Sequence, residues 1–195
     1  MGWTGYYAEN YKNGKIDRKT ECDNNINNSD YLKVLKSSMV GTTYYAAVEI
    51  IKTKEVFAAI FLTSVRDGEF MYKDMEESEG PYECRCPKGI LKLLSPTNNE
   101  IALEWRERCY EYHKDNESKD ALKNLPIGSV ISMPNKGFKE SIQGDVVFLQ
   151  KQPPNYFRKR TWWKIVRKKY DEYIGTGYYM PSKYIKNYEI IKRGI

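Results

Sequence analysis

The fold class is decided by the stretch Val56-Phe57-Ala58-Ala59-Ile60-Phe61-Leu62-Thr63-Ser64-Val65, which leads directly into Arg66-Asp67-Gly68-Glu69. A run that is apolar at nearly every position is typical of a central strand whose two faces are both covered. Asp-Gly between two apolar runs is the strongest short-range hairpin signal, so residues 69–73 are predicted to return as the next strand. We therefore expect a sheet with this hairpin inside it.

Two strand-like stretches precede the hairpin, at residues 31–39 and 42–51. Each contains apolar residues at the density that strands require. A helix over the second stretch is the alternative, because Ala46, Ala47 and Glu49 are compatible with one. The periodicity of the sequence leaves both interpretations of the second stretch open.

The N-terminal segment is aromatic and rich in turn-forming residues. Residues 2–11 are predicted to form a strand that ends at the reverse-turn dipeptide Asn13-Gly14. Asp17 is placed to N-cap a short helix that continues to about Asn27. The composition of residues 24–30, mostly Asn with Ser and Asp, predicts a loop.

The clearest helix signal is the capping box Thr97-Asn98-Asn99-Glu100, in which the Thr oxygen accepts the N–H three residues on and Glu100 reaches back. Spacings of four, four and three then place on one helix face Ile101, Trp105, Cys109 and Tyr112. We expect the helix to end near His113 or Asp115, and the polar residues 115–120 to form a linker. One or two helical turns are predicted at 87–94.

Beyond Ile127 the sequence changes to short strand candidates separated by Gly and Pro, at 129–133, 145–150, 161–166 and 189–192. Residues 179–185 resemble the one-turn helix that precedes the last strand of an SH3-like barrel. The predicted fold class is α+β. An N-terminal mixed sheet with a capped helix is expected in residues 1–122, followed by a small, basic SH3-like β-barrel in residues 123–195.

Charge is distributed unevenly along the chain. Residues 151–195 hold twelve basic and three acidic side chains, a net charge of +9, and the total of +6 leaves −3 for residues 1–150. A basic end on a mildly acidic body indicates contact with a polyanion or an acidic partner, and a solvated basic face is the simpler alternative. The longest apolar run is too short to span a membrane and the N-terminus lacks a secretory signal, so we expect an intracellular protein without membrane contact.

Most catalytic motifs are missing from the sequence. It contains no glycine-rich phosphate loop and no dinucleotide fingerprint. Because His113 is the single histidine, metal sites that need a pair of histidines and most acid–base mechanisms that need two are excluded. Zinc is one interpretation of Cys84, Cys86, Cys109 and His113, because the last two would lie one turn apart on a helix. The spacing Cys-x-Cys is tighter than the usual zinc motifs, and Cys109 falls on the apolar face. We therefore predict no metal, cofactor or catalytic residue.

The most distinctive segment, residues 156–170, is both basic and aromatic. On a strand, Trp163 would face a core, and Trp162 would lie beside Lys164 and Lys168 on the outer face, unless both tryptophans belong to the core. A ring among cations can stack on a base while the cations contact phosphates, and the same residues can anchor a protein partner. The predicted binding residues are Lys151, Arg158, Lys159, Arg160, Trp162, Lys164, Arg167, Lys168 and Lys169.

Several strings along the chain point to one family: Met1-Gly2-Trp3-Thr4, Tyr11-Lys12-Asn13-Gly14-Lys15-Ile16-Asp17-Arg18-Lys19, Glu21-Cys22-Asp23, Leu35-Lys36-Ser37-Ser38-Met39-Val40-Gly41, Cys86-Pro87-Lys88-Gly89-Ile90-Leu91, Leu94-Ser95-Pro96-Thr97 and Leu125-Pro126-Ile127-Gly128-Ser129-Val130-Ile131. In these strings, which span most of the chain, the sequence resembles a family of proteins from phages and mobile elements of Gram-positive bacteria. The resemblance brings no activity and no catalytic residues that can be transferred. It implies a bacterial host cell as the setting, and binding roles such as counter-defence.

The function expected from these observations is non-enzymatic binding of nucleic acid or of a host nucleoprotein complex, as a counter-defence inhibitor of the anti-CRISPR kind. One alternative is a metal-dependent enzyme acting on nucleic acid, which would need Asp and Glu side chains clustered near the basic surface. The other is a protein–protein adaptor whose Tyr-rich N-terminal half forms the interface. The sequence does not predict an oligomeric state.

Overall fold

The computed structural model describes residues 2–126, 128–133, 144–152, 162–169, 172–181 and 188–194. They belong to two compact units, residues 1–113 and 114–195. The sequence-based boundary after residue 122 falls near the end of a long helix, Glu100–Lys123, which the unit boundary divides. In the described part of the chain, no helix is long and apolar enough to cross a membrane.

The elements that begin in the first unit are β1 (Thr4–Tyr7), β2 (Tyr11–Lys12), β3 (Lys15–Ile16), α1 (Arg18–Asn27), β4 (Leu32–Val40), β5 (Thr43–Ile50), β6 (Val56–Arg66), β7 (Glu69–Glu76), a 3-10 turn (Glu77–Glu79), α2 (Lys88–Leu91) and α3 (Glu100–Lys123). Five of the strands form an antiparallel sheet in the order β1-β7-β6-β5-β4. The expectation of a mixed sheet was wrong, because short hairpins join β4 to β7 in succession and produce antiparallel neighbours.

The hairpin predicted at Asp67-Gly68 is confirmed as the connection between β6 and β7. Both residues have positive φ, 51° for Asp67 and 84° for Gly68, as the tight turns of two-residue hairpins require. Asn13, at 52°, and Gly14, at 72°, form the same kind of turn between β2 and β3. The two Xaa-Gly dipeptides therefore fix the register of the strands that flank them.

Both faces of the five-stranded sheet are covered, as the apolar run of β6 predicts. On one face, Cys22 and Ile26 of α1 pack in a core with Tyr44, Ala46, Val48, Ala59, Phe61 and Phe70. On the other, residues of α2 and α3 pack with Tyr45, Ala47, Ala58 and Ile60. Residues 42–51, for which the sequence left both a strand and a helix open, contain the strand β5, and every residue from Thr43 to Val48 is buried. The strand lacks periodicity because neither of its faces meets water.

Helix α1 begins as predicted, because the Asp17 carboxylate accepts a hydrogen bond of 3.3 Å from the N–H of Thr20. The helix continues to Asn27, so the loop predicted for residues 24–30 begins only after that residue. Asn27 closes the connection to β4, since its Oδ1 accepts a 2.9 Å hydrogen bond from the N–H of Val34. Asparagine-rich composition thus marks the end of the helix rather than its absence.

Helix α3 differs from its prediction at both ends. The cap is Asn99, whose Oδ1 accepts a 2.9 Å hydrogen bond from the N–H of Ala102, while the Thr97 hydroxyl accepts one from the N–H of Asn99. In the helix that begins after this cap, Ala102, Trp105 and Cys109 are buried, whereas Ile101 is 50% exposed. The predicted linker at 115–120 was wrong: these residues continue the helix, because a polar sequence is equally compatible with a solvated helix.

A buried ion pair connects three parts of the first unit. Arg106 on α3 donates from Nε and Nη2 to the two oxygens of Glu77, at 2.6 and 2.7 Å, and from Nη1 to the Ser95 carbonyl at 2.7 Å. Glu77, which is 3% exposed, also accepts a 3.2 Å hydrogen bond from the N–H of Ala58 on β6. Both oxygens of this carboxylate accept hydrogen bonds from within the protein, which indicates a structural role.

The second unit contains the strands β8 (Val130–Met133), β9 (Gly144–Gln152), β10 (Trp162–Lys169), β11 (Glu172–Pro181) and β12 (Glu189–Lys192). They form one antiparallel sheet in the order β11-β10-β9-β8-β12. Strand β11 was not predicted, because Gly175-Thr176-Gly177 is typical of a turn. Those residues lie inside β11, where its pairing with β10 is irregular between Ile174 and Tyr178.

A closed barrel is not seen among the described residues of the second unit. There, β11 and β12 are the two ends of the sheet. The N–H of Gly194, just after β12, donates a 2.8 Å hydrogen bond to Oγ of the buried Ser129, just before β8. Of the one-turn helix predicted at 179–185, the first three residues belong to β11, where the prediction was wrong, and the others lie outside the described residues.

Candidate nucleic-acid interface

Most of the predicted binding residues lie on two neighbouring strands of the second unit. Lys151 is on β9, and the adjacent strand β10 holds Trp162, Lys164, Arg167, Lys168 and Lys169. The remaining three, Arg158, Lys159 and Arg160, lie outside the described residues. The second unit therefore brings two-thirds of the predicted set onto one part of a sheet.

The register of β10 shows which residues share a face of this sheet. Residues directly opposite each other in an antiparallel ladder lie on the same face, and successive residues of a strand alternate between faces. The irregularities in its pairing place the extra residues on β9 and β11, so the alternation along β10 is continuous. The assignment of faces can therefore be read along its whole length.

One face combines lysines with aromatic residues. Lys164 is opposite Gln150 on β9 and Tyr179 on β11, and Lys168 is opposite Tyr173. Trp162 shares this face and is opposite Gln152 and Pro181. We name this set the Trp162 face; its members are Trp162, Lys164, Lys168, Tyr173 and Tyr179.

The opposite face carries the other three described members of the predicted set. Lys151 is opposite Trp163, Arg167 is opposite Val146 and Ile174, and Lys169 is opposite Glu172. Val146 in turn is opposite Ile131, which is fully buried. On the Trp162 side, Val166 is opposite Val147, which is in turn opposite the buried Val130. Both faces thus hold apolar positions, and the register divides the predicted binding residues between them.

Sequence reasoning did not identify Tyr173 and Tyr179 as site residues. Both lie on β11, and they join the Trp162 face only through the pairing of β11 with β10. Their spacing of six residues fits one face of a strand, but Gly175-Thr176-Gly177 between them predicted a turn rather than a strand. Strand pairing, which is non-local, was the information that the sequence lacked.

A second basic cluster was also missed, in the first unit. Lys12 and Lys15 on the β2–β3 hairpin, with Arg18 and Lys19 at the start of α1, line a cleft of about 540 Å³. All four belong to one string quoted above for the family resemblance, but only the folded hairpin places them around a common cavity. Met39 near the end of β4 and Gly41 in the β4–β5 turn also line the cleft.

The cysteines that suggested zinc form part of a packed core. Cys86 and Cys109 are fully buried, and burial raises the pKa of the Cys109 thiol to about 12. Nε2 of His113 lies 2.7 Å from the Cys86 carbonyl oxygen, which can only accept, so this nitrogen donates its proton there. In the described part of the chain, no cluster of three or more His, Cys, Asp or Glu residues is arranged to hold a metal ion.

The Trp162 face has the composition of a surface that binds a flexible polyanion. Aromatic rings stack on bases, and ammonium groups between them neutralise phosphates without selecting a sequence. The chain matches no protein-family model, no curated protein and no solved structure. The functional argument therefore rests on the residues themselves and on their arrangement.

Proposed function

We propose that this protein is a non-enzymatic binding protein that contacts nucleic acid, alone or within a host nucleoprotein complex, through the Trp162 face. The observation that supports this most directly is the strand register, which adds Tyr173 and Tyr179 to the tryptophan and two lysines of β10. Base stacking on aromatic residues contributes about 1–3 kcal/mol per base. Three rings and two cations on one face are sufficient for a short single-stranded segment.

The charge distribution supports the same assignment. The last 45 residues carry a net charge of +9 on a chain whose total is +6. Phosphate contacts from lysine and arginine supply most of the affinity for nucleic acid when no base sequence is read. Arg158, Lys159 and Arg160 immediately precede β10 in sequence, and in this proposal they extend the contact along the backbone of the bound strand.

The second unit fits a small SH3-like barrel in this proposal. Its strand order is a four-strand meander, β8 to β11, whose first strand also pairs with the last strand, β12. That is the strand order of SH3-like barrels, in which a strongly curved sheet encloses its core with one face. The Trp162 face would then be the outer, accessible one.

The biological setting follows from the family resemblance. Proteins of phages and mobile elements act in the bacterial cytoplasm, where many of them inhibit host nucleoprotein machinery by binding. In this proposal the protein is a counter-defence inhibitor of the anti-CRISPR kind that occupies a nucleic-acid path. No step of catalysis and no cofactor is required for that role.

A pull-down from bacterial lysate tests the proposal. The full chain is used as bait with and without nuclease, beside the variant Trp162→Ala/Lys164→Ala/Lys168→Ala. Capture of nucleic acid, or of a ribonucleoprotein or DNA-binding complex, that the variant loses supports the assignment. Equal capture by the variant and the wild type would show that the Trp162 face is not the interface.

A protein–protein adaptor is the second candidate, favoured by the exposed tyrosines of the first unit. Tyr7, Tyr31 and Tyr82 are 75%, 76% and 91% exposed, and tyrosine is enriched in interface hot spots. An adaptor would capture a defined protein in the same pull-down after nuclease treatment and at high salt. Tyr31→Ala and Tyr82→Ala would then weaken capture, whereas the Trp162-face variant would not.

A further inference from the structure

The first unit carries a cation-lined cleft that neither the fold nor the Trp162 face explains. Lys12, Lys15, Arg18 and Lys19 line it together with a single carboxylate, Asp17. Residues 11–19 thus carry a net charge of +3 within the 150 residues whose overall charge is −3. Such a local concentration on an otherwise acidic body points to a specific anionic ligand rather than to general solubility.

The hairpin at the mouth of the cleft places two lysines against each other. Lys12 and Lys15 are directly opposite in the β2–β3 pair, on either side of the Asn13-Gly14 turn. Like charges that face each other across a ladder destabilise it. Both lysines are exposed, and in the described residues no carboxylate lies within ion-pair distance of either. Two like charges in this position are unfavourable for the hairpin, and an anion between the two ammonium groups would offset that cost.

The start of α1 adds a second pair of cations in an unfavourable place. Arg18 and Lys19 are the first two residues of the helix, where the helix dipole disfavours positive charge. Lys19 is paired with Asp23 at 2.6 Å, and the Arg18 guanidinium has only a long contact of 3.5 Å to the Thr63 hydroxyl. Arg18 is half-buried, which brings its guanidinium group close to the protein surface at the cleft.

The helix N-terminus is not itself the binding group in this cleft. Asp17 occupies it as the N-cap, and its pKa is lowered, against the effect of partial burial, by hydrogen bonds from Thr20 and by the nearby charge of Lys12. An anion in the cleft is therefore held by side-chain cations from two elements.

We propose that the cleft formed by Lys12, Lys15 and Arg18 is a binding site for a phosphate-bearing ligand, separate from the Trp162 face. The cleft is an open surface groove of about 540 Å³, which leaves room for the phosphate groups of a ligand beside the three cations. The cations of the cleft outnumber its one carboxylate, Asp17, and this excess of positive charge fits a ligand with more than one phosphate charge. A nucleoside triphosphate and a nucleic-acid backbone both supply that chemistry, and the inference does not depend on the proposed function.

The test is a titration of the ¹⁵N-labelled full chain, followed by amide shifts. The probes are inorganic pyrophosphate, ATP and a ten-residue oligothymidylate, all added to the Trp162→Ala/Lys164→Ala/Lys168→Ala variant, in which binding at the Trp162 face is weakened and amide shifts at the cleft report the first unit. We expect at least one probe to shift the amides of residues 12–19, 39 and 41. Binding of pyrophosphate and ATP identifies a free nucleotide as the source, and binding of the oligonucleotide alone identifies a backbone.

Matched variants complete the test. Lys12→Ala/Lys15→Ala, in the same background, should weaken binding at least about tenfold, because it removes two charge-assisted contacts. Lys33→Ala/Lys52→Ala removes the same charge from exposed positions outside the cleft and should change affinity less than about twofold. Absence of shifts at the cleft with all three probes, or equal losses in the two lysine pairs, would overturn the proposal.

Discussion

The buried carboxylates of the first unit and the lysines of the Trp162 face are charges with different proposed roles. Glu21 and Glu77 are each 3% exposed, and every oxygen of both accepts hydrogen bonds from within the protein. Lys164 is opposite Gln150 and Tyr179 in the ladder, and Lys168 is opposite Tyr173. Charge that is satisfied internally serves the fold, whereas the proposal assigns the two lysines to contact with a partner.

The largest effect expected from this contrast comes from breaking the Glu77–Arg106 pair. Arg106→Ala leaves the Glu77 carboxylate buried without its cation, which costs about 3–5 kcal/mol of unfolding free energy. Chemical denaturation of the full chain measures the change. Arg66→Ala is the matched control, because Arg66 pairs with Asp67 on the surface, where both side chains are at least 80% exposed. Equal stability of the two variants would remove the distinction between buried and surface charge.

A smaller loss is expected at Glu21, which anchors the segment after β1. Its carboxylate accepts hydrogen bonds from the Tyr6 hydroxyl at 2.9 Å and from the N–H groups of Glu9 and Asn10 at 2.8 and 2.6 Å. Glu21→Gln keeps the shape but weakens these bonds and turns an amide group toward donors, at a cost of about 2 kcal/mol. Glu111→Gln, on the exposed side of α3, is the control, and its unfolding free energy in chemical denaturation should equal that of the wild type. If Glu21→Gln left the unfolding free energy unchanged, this carboxylate would have no structural role.

The smallest of these effects distinguishes the observed cap of α3 from the predicted one. Asn99→Ala removes the oxygen that accepts from Ala102 and should lower the unfolding free energy by about 1 kcal/mol. Thr97→Ala removes only a turn contact to Asn99 and should cost clearly less. If thermal or chemical denaturation showed a larger loss of stability for Thr97→Ala than for Asn99→Ala, Thr97 would be the cap, as the sequence predicts.

Local signals in the sequence were sufficient for much of the first unit. Asp67-Gly68 and Asn13-Gly14 set their turns through backbone conformations that glycine adopts readily, and Asp17 caps α1 through a hydrogen bond within one turn. Ambiguity arose where two local solutions compete. Thr97 and Asn99 are both good caps, and only the packing of Trp105, whose Nε1 donates to the Glu83 carbonyl at 2.9 Å, selects the second.

The candidate sites required information that no local pattern contains. Alternation along β10 was enough to predict that Trp162, Lys164 and Lys168 share a face. Tyr173 and Tyr179 reach that face through the β10–β11 register, across an irregular segment. The basic cleft likewise depends on how the β2–β3 hairpin meets the start of α1. Contacts between elements are set by the whole fold, so the two tyrosines of the Trp162 face and the basic cleft became visible only in the structure.

The central claim is that the lysines of the Trp162 face contact phosphates, and the salt dependence of binding tests it most directly. Fluorescence anisotropy of a labelled single-stranded oligonucleotide gives Kd for the wild type, for Lys164→Ala/Lys168→Ala and for the control Lys33→Ala/Lys52→Ala over a range of salt. Each lost phosphate contact lowers the slope of log Kd against log salt by about 0.7. The account predicts a decrease of about 1.4 for the first pair and none for the control. Identical slopes for all three proteins would contradict it.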